Sequence, residues 1–86
     1  MTYESYSLSQ LGQALLEARD NYAETAELEA ELSRRCNNIH HAQFLFNYHA
    51  KAYSREPNAQ HFYEMYAMMS LVALMHTGSS QMGATA

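Results

Sequence analysis

MYAMMSLVALM, residues Met65 to Met75, is apolar on every side of any helix it forms, with Ser70 its only polar side chain. A helix that is hydrophobic all round belongs in the middle of something. In a chain of 86 residues it either packs between several neighbours or meets another chain. Extending the run back to Phe62 adds only Glu64 as a further interruption. Phe62 to Met75 then reaches about 21 Å at roughly 1.5 Å per residue, well short of a hydrocarbon core of about 30 Å, so a buried helix is expected and a membrane span is not.

The boundaries of this helix are set by Pro57 and Gly78. Pro57, the only proline, cannot donate to a continuing helix and restrains Glu56 to extended geometry, so Ser54 to Asn58 marks a turn. Proline also suits the first helical position, and the spacing predicts a helix from about residue 57 to 77, ending where Gly78 can adopt a left-handed conformation. Residues 79–86, SSQMGATA, are small and polar and are expected to form a flexible tail.

Upstream, helix formers fill the span from residue 13 to 56. Ser7 followed by Gln10 has capping-box spacing and places a helix start near Leu8. From there Leu11, Ala18, Thr25, Leu32, Ile39, Phe46 and Tyr53 recur at sevens. Leu8, Leu15, Tyr22, Cys36 and Ala50 form a companion seam that Glu29 and Gln43 interrupt. The repeat predicts coiled-coil-like packing along a helix from about 8 to 53. A break near residues 20–21 stays open, because Asn21 and Glu24 repeat the capping spacing. Val72 is the only valine and no alternating pattern exists, so strands are not expected. The expected fold is all-α: a helical hairpin or small three-helix bundle in one domain, residues 1–78, completed by oligomerisation, most simply a homodimer.

Nine acidic and five basic side chains give a net charge of −4, which opposes nonspecific attraction to nucleic acid. The charges are segregated. Glu17 to Glu31 is acid-rich, whereas Arg34, Arg35, Lys51 and Arg55 precede any carboxylate up to Glu56, a split that favours antiparallel pairing within the chain or between copies. Asp20, Glu24, Glu27 and Glu31 make an acidic stripe that reads as a solvated face. The Arg34 to Arg55 stretch mixes cations with Phe44, Phe46, Tyr48 and Tyr53, a composition used on nucleic-acid surfaces, but helical geometry spreads them around the circumference and nucleic acid is not the expected partner.

Candidate chemistry is sparse. Cys36 and His40 are spaced to share a helical face, but two ligands do not make a site; no metal and no cofactor are expected. The lone cysteine excludes an internal disulfide. Met1 to Ser9 lacks a basic start and apolar stretch, so no signal peptide is expected and the cytoplasm is the expected compartment. His61 and Glu64 could pair, yet no nucleophile or phosphate loop accompanies them, and no catalytic residue is assigned. The most specific signal is the methionines, which suit an adaptable binding surface. Met65, Met68, Val72 and Met75 line one side of the last helix, and Phe62, Met69 and Ala73 line another.

These features predict a non-enzymatic protein-binding module, an adaptor, chaperone-like protein or small inhibitor of the kind common among bacterial and phage regulators. Its expected interface is Phe62, Met65, Tyr66, Met68, Met69, Val72 and Met75. A self-assembling structural subunit is the first alternative, and a metal-binding bundle using Cys36 and histidines the second.

Overall fold

A computed structural model describes the backbone of residues 3–85 and the side chains of residues 3–77. Four helices follow one another: α1 (Leu8–Glu17), α2 (Tyr22–Arg35), α3 (Ile39–Arg55) and α4 (Ala59–Thr85). No strand occurs among the described residues. The all-α expectation holds, but the hairpin and the three-helix bundle are corrected to four helices. The helix expected from about 8 to 53 is broken twice, at residues 18–21 and 36–38.

Each helix starts on a side chain that satisfies an otherwise orphaned amide. Ser7 and Gln10 form the reciprocal capping box. Asn21 Oδ1 accepts from the Glu24 amide at 3.1 Å, Asn38 Oδ1 from the His41 amide at 3.0 Å, and Asn58 Oδ1 from the His61 amide at 2.8 Å. The first break is tied further by Ala18, whose carbonyl accepts from the Asn21 amide and from the Thr25 hydroxyl, at 2.7 and 2.8 Å. The second break, absent from the sequence reading, follows from Asn37 and Asn38, whose side chains compete with helical backbone bonding. Pro57 is displaced from the first helical position it was expected to hold: Asn58 caps α4, and Pro57 precedes the cap while Glu56 is extended at φ −140° and ψ 83°. Helix α4 also runs to Thr85 instead of ending near residue 77.

The long helix α4 is the axis of the molecule. Its 27 residues span about 40 Å, close to the 43 Å longest dimension of the whole chain. Helices α1 and α3 pack along it, α2 packs on α4 and α1, and among the described residues the backbone of α3 does not come within 8 Å, Cα to Cα, of α1 or α2. Three helices of its own chain, α1, α2 and α3, pack on the apolar α4 and cover part of its circumference. The core joins Leu11, Leu15 and Ala18 of the first helix and its turn to Leu28, Leu32 and Cys36, then to Ala42 of α3 and to Ala67, Met68 and Leu71 of α4. Gly12 is buried against α4, where the Tyr63 backbone lies too near to admit a β-carbon.

Tyr22, expected on the companion seam, is instead 84 % exposed, because the break before it resets the helical phase. The Thr25, Ile39, Phe46 and Tyr53 positions of the main seam are half-buried.

Candidate functional site

The expected interface on α4 divides into a hidden and an open part. Met68 is buried in the core, and Tyr66, Val72 and Met75 pack against that core. Met65 is half-buried. Phe62 sits in an aromatic cluster, its ring centroid 5.8 Å from Tyr53 and 6.2 Å from Tyr66. Only Met69 is exposed among the seven, together with its neighbour Ala73. These two open into a groove of about 500 Å³ between α4 and α2, lined also by Glu29, Ser70, Leu74 and Thr77. Of the side expected to carry Met65, Met68, Val72 and Met75, Met68 is buried and the other three are half-buried; of the side expected to carry Phe62, Met69 and Ala73, Phe62 is half-buried and Met69 and Ala73 are exposed. Partial burial raises the Glu29 carboxyl above its ordinary value.

The acidic stripe is not uniformly solvated. Glu31 is buried and accepts from Arg34 at 2.6 Å and from Arg35 at 2.8 Å. Arg35 reaches further, donating to the carbonyls of Tyr3, Glu4 and Tyr6, and so fastens the N-terminal turn over α2. The hydrogen bond from Arg35, then that from Arg34, holds the Glu31 carboxyl below its ordinary value. Glu31 is thus consumed inside the fold, while Asp20 and Glu27 remain exposed.

The Cys36 and His40 pair does not assemble. The chain leaves the helix at Cys36, so His40 is exposed and Cys36 Sγ instead lies 3.7 Å from His41 Nδ1. Among the described residues, no three His, Cys, Asp or Glu side chains are grouped to hold a metal ion. Also among the described residues, no helix is long and apolar enough to cross a membrane.

His61 and Glu64 do meet, in a larger polar cluster where α3 turns into α4. His61 Nε2 is 3.1 Å from Glu56 Oε1 and His61 Nδ1 is 3.4 Å from Glu64 Oε1. His49 Nδ1 approaches the same Glu64 oxygen at 3.6 Å, beyond hydrogen-bond length, and is left buried without a partner. The Glu56 hydrogen bond raises the His61 pKa above its ordinary 6.5, Glu64 adds to the effect, and burial opposes it. A raised pKa means that the folded state binds the proton more tightly than the unfolded one. The resulting stabilisation is complete below 6.5 and is lost as pH rises through the folded value. Thermal melts from about pH 6 to about pH 8 are expected to show a falling midpoint, with a smaller fall in His61→Gln. An identical fall in both proteins would contradict the assignment.

A site that sequence reasoning dispersed is brought together on α3. His40, Phe44, Tyr48, Lys51 and Arg55 are all exposed and fall within about 80° of one another around the helix. Phe44 is 65 % and Tyr48 56 % exposed, whereas Phe46 and Tyr53 turn inward to be half-buried. The stripe contains no carboxylate. Its signal in the sequence was the spacing of 4, 4, 3 and 4 from His40, which becomes readable once Asn38 fixes where α3 begins. No protein-family model, no curated protein and no solved structure matches this chain.

Proposed function

We propose that this chain is a stoichiometric, non-enzymatic protein-binding module, acting as an adaptor or a small inhibitor, and that it docks through the outer face of α3. One observation carries the reading: two large aromatic side chains, Phe44 and Tyr48, stand exposed one turn apart and are framed by Lys51 and Arg55. Aromatic and arginine side chains concentrate binding energy at protein interfaces, and a paired exposure is unlike the scattered single apolar residues of an ordinary surface. With no acid on the stripe, the complementary surface is acidic. The α4 interface expected from the sequence gives way to this one because its own chain covers most of it. Two fixed cations would release few counterions from a nucleic-acid backbone, which favours a protein partner.

Photo-crosslinking from position 44 or 48 in living cells tests the reading. A discrete protein adduct from either position, absent when the crosslinker is moved to the inward position 46, is the expected result. Absence of protein adducts, or adducts to nucleic acid, would overturn it.

A further inference from the structure

Where α3 turns into α4, one carboxylate oxygen faces two imidazoles. Glu64 Oε1 lies 3.4 Å from His61 Nδ1 and 3.6 Å from His49 Nδ1. The other oxygen, Oε2, accepts from Gln60 Nε2 at 3.3 Å, which leaves Oε1 to the histidines. His61 is shared in its turn, because its Nε2 lies 3.1 Å from Glu56 Oε1. His49 Nδ1 is buried and has no hydrogen-bond partner.

An imidazole that faces carboxylate oxygens with both nitrogens is satisfied only when both carry a proton. A neutral ring keeps one N–H and turns the lone pair of its other nitrogen on an anion. Of the two contacts made by His61, that to Glu56 is the shorter, so the remaining proton stays on Nε2 and the contact with Glu64 becomes repulsive. His49 Nδ1 is the other nitrogen facing Glu64 Oε1, and a movement of about 0.5–0.7 Å brings it to ordinary hydrogen-bond length.

We infer that Glu64 changes partner under proton control: it holds His61 within α4 while that ring is doubly protonated, and crosses to His49 of α3 once His61 is neutral. The crossing replaces a contact inside one helix by a bond between two, and His49 carries its proton on Nδ1 to make it. Among the helices α3 packs on α4 alone, so the new bond ties α3 to its only support at the end where the chain turns. The Glu56 hydrogen bond, which raises the His61 pKa, places the exchange above pH 6.5.

The surrounding groups leave the exchange to these four residues. On α3, Lys51 and Arg55 are exposed, about 160° and 120° round the helix from His49. Tyr48 meets the His49 ring edge-on at 5.1 Å, and Tyr53 packs on Phe62. The only charged side chain of α1 is Glu17, which is exposed and accepts from Gln13. The groove between α2 and α4 lies further along, from Met69 to Thr77.

Long-range proton–nitrogen correlation NMR on the whole chain provides the test, since it separates Nδ1–H, Nε2–H and doubly protonated rings at each histidine. Over the pH range in which His61 loses its proton, His49 is expected to pass from Nε2–H toward Nδ1–H, the ratio of tautomers shifting at least about fivefold. Two variants check the cause. In His61→Gln the amide has no proton to lose, and the His49 ratio should stay constant over that range. In Glu56→Ala a neutral His61 is free to keep its N–H on Nδ1, and Glu64 with it, so the His49 shift should vanish while His61 still titrates. Glu56 is exposed, so this second variant is expected to keep the wild-type helical circular dichroism and decides the matter even if His61→Gln fails to fold. A His49 whose Nδ1 gains no proton over that range, or which changes as much in Glu56→Ala as in wild type, would overturn the inference.

Discussion

Gly12→Ala is expected to lower the thermal midpoint by about 10–20 °C, the equivalent of roughly 2–4 kcal/mol for a chain of this size. The sign is informative, because alanine in a helix interior normally gains about 1 kcal/mol over glycine. At this position the added β-carbon collides with the Tyr63 carbonyl oxygen, and it would lie 2.7 Å from the carbonyl carbon and 3.1 Å from the Tyr63 α-carbon. All three atoms are backbone, so no rotamer change relieves the clash. Helix α1 must instead withdraw from α4, opening gaps around Leu11 and Leu15, which are buried in that same seam. A melt of Gly12→Ala at or above the wild-type midpoint would show that α1 and α4 do not approach so closely.

The close α1 to α4 contact also shows how far the sequence could be read. The capping box at Ser7 and Gln10 and the Asn21 cap were legible because an N-cap is a local device, needing only a side-chain acceptor three residues before the amide it serves. The seven-residue repeat misled for a physical reason. Helices of 10, 14 and 17 residues contain at most a little over two heptads each, and short amphipathic helices in series mimic one long coiled coil. The phase resets at every break, which is why Leu11, Ala18 and Leu32 are buried as the repeat requires while Tyr22 is not.

The α3 stripe escaped for the same cause. Ala42 points into the core, and Phe44, about 200° further round, must then point away from it. Until the Asn38 cap sets that phase, an exposed aromatic cannot be told from a core one. Burial of Glu31 was invisible from sequence because it depends on residues about thirty positions away: Arg35 is held by the carbonyls of the turn at Tyr3 to Tyr6, contacts that no helical periodicity encodes.

Leu71→Ala is expected to cost about 3–4 kcal/mol, lowering the midpoint by about 15–25 °C. Leu71 is fully buried, in a core to which all four helices contribute, and its truncation leaves a cavity that none of them can fill without moving. For a domain of this length the whole folding free energy is on the order of 4–13 kcal/mol, so a large share is lost. Met69→Ala, two residues earlier on the same helix, is the matched control: Met69 is 45 % exposed and should change stability by no more than about 0.5 kcal/mol. The two substitutions discriminate between opposite views of an all-apolar helix. If α4 were mainly a binding surface, both truncations would be mild and the partner would supply the missing burial. A severe Leu71 defect beside a silent Met69 places the chain's own helices around α4. Equal effects would show that α4 is not the buried axis, and the case for α3 as the docking face would lose its premise.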